Sequence, residues 1–293
     1  MTRVAVLGAG NMAGAMVGTL RRAGLDVTVW NRTPARAEAV AGTHDAASAG
    51  TAVEAVREVD VVLSSLADDA AVEATYLGEH GAAAACGPGQ IVLEMSTIAP
   101  HTARRVAEAV AATGAAFLDA PVSGSVPTVE KGELTIMVGG DAEAIERARP
   151  VMDALAAKVF HVGGTGAGAT VKLAVNAMVH AIDVALSEAL VLAEKAGVDR
   201  SAAYDVFAAG AAAAPFVLYK RPAFEHPDDA PLTFTLDLMA KDLDLILSLA
   251  HEVDAPMGQA ERNRELVGRA LAAGFSGRDM SAVAAYLRRA EAR

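Results

Sequence analysis

The chain has 293 residues, 53% of them hydrophobic, with 25 Lys and Arg against 36 Asp and Glu and a formal net charge of -11. That length supports two domains with cores of their own, and the acidic balance excludes a general nucleic-acid or acidic-membrane role, because both need basic surface. Cys86 is the lone cysteine, which excludes an intramolecular disulfide and suits a reducing compartment.

A short apolar strand over Val4 to Leu7 runs into Gly8-Ala9-Gly10-Asn11-Met12-Ala13, and an amphipathic helix follows through Leu20 with Gly24 as its stop. Strand, glycine turn and helix in that order form a dinucleotide-binding signature. Gly8 permits the tight turn, Gly10 lets the backbone approach a pyrophosphate, and the helix N-terminus supplies amides to hold it. Arg3 followed by small residues superficially resembles a signal peptide, but Asn11, the glycines and Arg21-Arg22 interrupt that pattern. No targeting segment is expected, and the setting expected is cytoplasmic.

The second strand, Asp26 to Trp30, ends in Asn31-Arg32-Thr33 with no acid to take ribose hydroxyls. Arg32 can pair a 2′-phosphate and its two neighbours can hydrogen-bond it, so NADP is favoured and NAD stays compatible. Arg32 as a solvated turn residue is the alternative.

Further elements follow in alternation: helix Pro34 to Ala41, strand Asp60 to Ser65, helix Asp68 to Tyr76, strand Gln90 to Met95 and helix Pro100 to Ala112. Strands Ala116 to Asp119 and Leu134 to Val138, helix Ala142 to Leu155 and strand Lys158 to Val162 complete the set. The alternation predicts a doubly wound Rossmann-type α/β sheet over residues 1–163. Residues 164–293 read as an all-helical domain. It has a long helix over 168–196, then Arg200 to Ala209, a Pro-interrupted stretch, Leu236 to Glu252, Gly258 to Ala273 and Met280 to Ala290. Apolar runs are expected to fall short of the ~18 residues a membrane span needs.

In the long helix, Lys172 and Asn176 stand four residues apart, on one face, among Val171, Leu173 and Val175. A lysine desolvated there would have its ammonium pKa lowered toward the range of proton exchange. A stem lying along the core with its head in water is the other reading. His180 and Asp183 continue the same face. His44, His80, His101, His161, His226 and His251 are scattered without ligand spacing, and no metal is expected.

Several motifs in sequence order resemble the β-hydroxyacid dehydrogenases. They are Gly8-Ala-Gly10-Asn-Met12, Glu94-Met-Ser-Thr97-Ile-Ala-Pro100, Asp119-Ala-Pro-Val-Ser123-Gly124, Gly132-Glu-Leu-Thr-Ile-Met-Val-Gly139-Gly140, Lys172-Leu-x-x-Asn176, Glu188-Ala-x-x-Leu-Ala-Glu-Lys-Ala-Gly197 and Lys241-Asp242-Leu243. The resemblance covers essentially the whole chain. It implies a Rossmann-type domain joined by a long helix to a helical domain that often makes homodimers or homotetramers.

It also implies hydride transfer between NADP(H) and a small carboxylate-bearing hydroxy acid or its semialdehyde or oxo partner. Lys172 would be the general acid/base and Asn176 would orient it or the substrate oxygen. Ser123 and Gly124 would hold the carboxylate, with Phe234 as an apolar wall and Asp242 in the substrate pocket. Thr97 would touch the nicotinamide ribose or substrate, although helix capping is an equal reading of it. Leu66 and Ala67 would pass under the ribose, and Lys241 would meet the nicotinamide end; a Lys-Asp pair is otherwise a solvated helix face.

Three departures stand out: Ala13 and Ser125 occupy positions where the family commonly has glycine, and Val175 stands where a second asparagine beside Asn176 is common. Imine reduction and a non-catalytic NADP-binding module are the alternatives to carbonyl chemistry, and the lysine argues against both. Decarboxylation of 6-phosphogluconate is disfavoured because that branch needs a much larger helical domain.

Overall fold

The structure, a computed structural model, describes residues 2–289. They fall into two compact units, one up to Lys172 and one from Leu173.

The first unit opens with β1 (Arg3–Leu7), α1 (Asn11–Arg22), β2 (Asp26–Trp30), α2 (Pro34–His44), β3 (Ala47–Ser48), α3 (Ala52–Val56) and β4 (Val61–Ser64). Then come α4 (Asp69–Leu77), β5 (Ile91–Glu94), α5 (Pro100–Ala111), β6 (Ala116–Asp119), β7 (Val122–Ser123), α6 (Val126–Glu130), β8 (Leu134–Gly139), α7 (Ala142–Leu155) and β9 (Ala156–Gly163). The sheet order is β3-β2-β1-β4-β5-β6-β8-β7, with β9 beside β8. The first six strands are parallel in the doubly wound order.

Strands buried on both faces must be apolar throughout, and Val4 to Leu7, Val61 to Leu63 and Ile91 to Leu93 satisfy this. On one face Val4, Val6, Leu63 and Leu93 pack against Met16 and Leu20 of α1 and Val151 of α7. On the other, Ala5, Leu7, Val62 and Val92 meet Tyr76 of α4 and Val106 of α5. β7 continues the run of β6 along β8, both antiparallel to it, which carries Ser123 past the edge of the parallel strands.

After β7, α6 rests on α1. Thr19 Oγ1 donates to the Val129 carbonyl at 3.0 Å and Arg22 donates to the Glu130 carbonyl at 2.7 Å. Ser125 caps this short helix with φ -119, an extended backbone that any residue adopts, so its replacement of a glycine brings no strain.

The second unit holds most of α8 (Ala167–Lys195), then α9 (Arg200–Ala209), α10 (Pro215–Glu225), α11 (Leu236–Glu252), α12 (Gly258–Ala270) and α13 (Ala282–Arg289). Leu190, Tyr204, Phe224, Met239, Leu243 and Val267 form its core. The Pro-interrupted stretch is α10, with Pro215 in the first turn and Pro222 in the last turns. The helix expected to reach Ala273 stops at Ala270 and passes into a wide turn over Leu271–Phe275, because Gly274 takes φ 87. The last helix starts at Ala282 rather than Met280, and its expected end, Ala290, lies outside the described residues.

One expectation is corrected. α8 has 29 residues and a window of mean hydropathy 1.5, long and apolar enough by length and composition to cross a membrane. Its Asn176, His180, Asp183 and Ser187 are nonetheless buried beside Leu173, Val184 and Leu190. A carboxyl at mid-membrane costs about 3 kcal/mol, so this stripe suits a helix packed in a protein core.

Candidate active site

At the C-terminal end of β1, Gly8 adopts φ +123, and a Cβ there would stand 2.3 Å from the Ser65 carbonyl oxygen and 3.5 Å from Leu66 Cδ2. Glycine is therefore required where β1 and β4 turn outward together. Gly10 is exposed, and a Cβ on it would meet nothing within 4 Å. It is also the N-cap of α1, with no side-chain cap bond and no acid in the first turn. The first-turn amides at Asn11, Met12 and Ala13 thus face outward as an anion cradle beside Ala9, and they fit a dinucleotide pyrophosphate.

Asn31 follows β2, its Nδ2 donating to the Thr33 carbonyl at 3.1 Å. Arg32 is exposed, and Thr33 caps α2 without a side-chain cap bond. The Asn31 bond closes the turn, and Arg32 puts an exposed positive charge on it.

Leu66 is half-buried and Ala67 exposed after β4, and Thr97 is half-buried after β5. Capping does not account for Thr97: the N-cap of α5 is Ala99, followed by Pro100. The two loops are tied by side chains. Ser96 Oγ accepts from the Leu66 amide at 2.8 Å, and Asp69 Oδ1 accepts from the Ala99 amide at 2.9 Å. Beneath them Glu94, only 1% exposed, accepts from Ser96 N at 2.7 Å and from Ser64 Oγ at 2.6 Å. Tyr76 donates on to Ser64 Oγ at 2.7 Å.

Asp119 ends β6 and holds the start of α8. Its Oδ1 accepts from Gly166 N and its Oδ2 from Ala169 N, each at 2.8 Å. Burial pushes its pKa up against these amides. The helix start lies hard on the sheet: a Cβ at Gly168 would stand 2.4 Å from the Asp119 carbonyl oxygen and 2.5 Å from that of Met137. Lys172, half-buried, follows one turn after Gly168. Three residues separate Asp119 from Ser123, so the strand that anchors the lysine helix also leads to Ser123 and Gly124.

In the second unit Asn176 Nδ2 lies 2.6 Å from Asp242 Oδ2. Lys241 Nζ stands 2.9 Å from Asp242 Oδ1, and His180 Nε2 stands 3.7 Å from Oδ2. Burial opposes the charge on Asp242, but His180 and Lys241 outweigh it and hold the carboxyl below its ordinary value. An ionised carboxylate only accepts, so the amide nitrogen of Asn176 must face it and the carbonyl Oδ1 must turn away. Asp242 is 1% exposed; its carboxylate is engaged with Asn176 and Lys241 inside the helical unit. Phe234 is half-buried, its ring 6.0 Å from that of His180.

The expected residues thus form two groups. Residues 8–12, 31–33, 66–67, 97 and 123–124 line the C-terminal edge of the sheet, while Asn176, Phe234, Lys241 and Asp242 gather in the helical unit. Lys172 and Asn176 share a face of α8. Sequence reasoning gave no role to Glu94 or Asp119, although both stand in motifs, because a strand-end acid ordinarily reads as exposed.

Residues 3–163 match the family described as the NAD binding domain of 6-phosphogluconate dehydrogenase. Residues 166–287 match the one described as the NAD-binding domain of NADP-dependent 3-hydroxyisobutyrate dehydrogenase. The chain is 37% identical over 273 residues to the 3-hydroxyisobutyrate dehydrogenase of Pseudomonas aeruginosa, covering 90% of this chain and 91% of that protein. The chain belongs to the β-hydroxyacid dehydrogenase family. Like other β-hydroxyacid dehydrogenases it is an NAD(P)-dependent oxidoreductase acting on a CH–OH group. The NAD-dependent L-serine dehydrogenase of the same bacterium is 34% identical, with 97% of each chain covered. The structure of Mycobacterium tuberculosis 3-hydroxyisobutyrate dehydrogenase with L-serine superposes with a TM-score of 0.86 at 32% identity, covering 98% of this chain and 99% of that one.

Proposed function

We propose that this β-hydroxyacid dehydrogenase interconverts a small 3-hydroxy acid and its semialdehyde, prefers NADP(H), and uses Lys172 as its general acid/base. The observation that carries the reading is the fixed amide of Asn176. With Nδ2 held by Asp242, Oδ1 is an oriented acceptor one helical turn from Lys172. In that position it can accept a hydrogen bond from the Lys172 ammonium or from the substrate hydroxyl.

In reduction, the Lys172 ammonium hydrogen-bonds the carbonyl oxygen and gives it a proton as charge develops there. In oxidation, the neutral amine accepts the hydroxyl proton. The nicotinamide, when bound, gives or takes the hydride. Ser123 Oγ and the backbone around Gly124 hold the substrate carboxylate, Phe234 walls the pocket, and Asp242 acts through Asn176 and Lys241. Residues 8–12, Leu66, Ala67 and Thr97 receive the nucleotide, and Lys241 stands at its nicotinamide end. Arg32, with Asn31 and Thr33, takes the 2′-phosphate.

Two relatives name 3-hydroxy acids, 3-hydroxyisobutyrate and L-serine, which favours an alcohol β to the carboxylate over a 2-hydroxy acid. The proposed organisation is a cofactor domain over residues 1–163 and a helical substrate and oligomerisation domain over 164–293, assembled as a homodimer or homotetramer in the cytoplasm.

Loss of reduced-nicotinamide absorbance, followed with small aldehyde acids and cyclic imines, tests the reading. Lys172→Ala should cut aldehyde-acid turnover by about 10²–10⁴-fold while NADPH still binds. Imine turnover that survives the substitution, or tight NADPH binding with no carbonyl turnover in the wild type, would refute it.

A further inference from the structure

Ser64, Glu94 and Asp119 are register partners across β4, β5 and β6, so they form one transverse row at the sheet edge where the strands give way to the nucleotide loops. Asp119 is committed to α8. Glu94 is committed to the loops: one oxygen takes the Ser96 amide, and Ser96 in turn takes the Leu66 amide. Its other oxygen takes Ser64 Oγ, which is backed by Tyr76. Nothing in the hydride-transfer mechanism uses Glu94.

The hydroxyl chain has a direction. With Glu94 ionised, Tyr76 donates to Ser64 and Ser64 donates to the carboxylate. The Ser96 amide then makes a charge-assisted bond, roughly twice as strong as its neutral counterpart. With Glu94 protonated, the carboxyl itself must donate to Ser64, the Ser64 hydroxyl must turn its proton away, and the Ser96 amide is left with a weaker acceptor.

We propose that Glu94 is a positioning residue for the nucleotide: its ionised form holds the loops after β4 and β5 in the shape that binds NADP(H), and protonation loosens them and weakens cofactor binding. This rests on the reading of Leu66, Ala67 and Thr97 as cofactor-lining residues. The groups around Glu94 suit a proton switch near neutrality. Burial pushes its pKa up to about 7, against the hydrogen bonds from Ser64 and Ser96, and the negative charge of Asp69 on α4 adds to the rise. The other ionisable groups on the packed elements are Tyr76 on α4, Cys86 before β5, His101 at the start of α5, the exposed Arg104 and Glu108 further along α5, and Asp119 on β6. Glu73 and Arg105 pair with each other at the surface of α4 and α5.

The test is NADPH affinity from fluorescence titration across roughly pH 6 to 8.5, for wild type, Glu94→Gln and Glu94→Asp. The glutamine stands for the protonated acid at every pH. It should bind several-fold more weakly than wild type at high pH, and the two should converge at low pH. The aspartate should restore a pH-dependent difference. The 2′-phosphate of the cofactor titrates at about pH 6, but equally for every variant, so the comparison cancels it. Equal affinities at high pH, or an offset that stays constant with pH, overturn the proposal.

Amide hydrogen exchange separates the two layers of the argument. NADPH that fails to protect residues 65–67 and 95–99 of the wild type refutes the cofactor-site reading. Protection by NADPH with the same pH dependence of affinity in wild type and Glu94→Gln refutes the role of Glu94 alone. Should Glu94→Gln not fold, wild-type exchange carries the test: the Leu66 and Ser96 amides should lose protection, after correction for intrinsic rates, as pH falls through neutrality. Unchanged protection overturns the proposal.

Discussion

Asp183 sits on the polar face of α8, 0% exposed, and neither of its carboxylate oxygens has a hydrogen-bond partner among the described residues. Burial pushes its pKa up to about 8; Lys220 pulls it down and Asp279 pushes it further up. The Lys220 ammonium is itself bound to Asp279, with Nζ 2.6 and 2.7 Å from the two oxygens. Native Asp183 therefore keeps a proton that the unfolded chain, with an ordinary value of about 3.9, has released. Its folded pKa lies above its unfolded one, so its contribution to stability is greatest below about pH 4 and is lost as pH rises to about 8.

Between about pH 5.5 and 7.5 the loss is about 2.5 kcal/mol, from about 1.4 kcal/mol per unit. Asp183→Asn keeps the shape and removes the titration. Urea unfolding of both proteins at the two pH values should show the variant gaining roughly that amount on wild type as pH rises. Glu94 titrates in both and cancels. Parallel changes in the two proteins would show that Asp183 is ionised and compensated in the native state, and the desolvation argument would fail.

Arg32→Asp should reverse the cofactor preference, raising KM for NADPH by roughly 10- to 100-fold as charged hydrogen bonds are lost and lowering it for NADH; paired steady-state assays measure this. Asp119→Asn keeps an acceptor for only one of the Gly166 and Ala169 amides. It should lower kcat by between about tenfold and a hundredfold through a shifted α8, with NADPH affinity in fluorescence titration unchanged. A parallel loss of cofactor affinity would instead show general damage to the sheet edge.

Legibility of the fold followed element length and burial. The 17 residues of α11 carry the cap Thr235 and a regular apolar face, so both ends are readable. Strands β1, β4 and β5 stand out as apolar runs between polar turns. The two-residue strands β3 and β7 and the five-residue helices α3 and α6 are shorter than any periodicity can register, although the Thr51-x-x-Glu54 capping box marks α3. α10 was hidden by Pro222, which has no N–H for the Leu218 carbonyl and ordinarily reads as a helix breaker.

The site was legible in part. Helical spacing places Lys172, Asn176, His180 and Asp183 on one face, but the partner that fixes Asn176 is Asp242 on α11, 66 residues away in the chain. His180 illustrates the limit: a lone helical histidine reads as satisfied, yet neither ring nitrogen has a hydrogen-bond partner among the described residues. Glu94 lies deeper still, because its surroundings come from register partners on β4 and a tyrosine on α4.

The support of α6 by α1 bears on how such an enzyme could be redirected. The segment after Ser123 is bolted through Val129 and Glu130 to Thr19 and Arg22, on the helix whose other end faces the pyrophosphate cradle. Transplanting residues 125–130 from a relative with another substrate would import a loop shaped for a different footing. If Ser123 holds the substrate carboxylate as proposed, a transferable specificity cassette must carry its matching residues at positions 19 and 22, and substrate range and the cofactor helix would diversify as one inherited module.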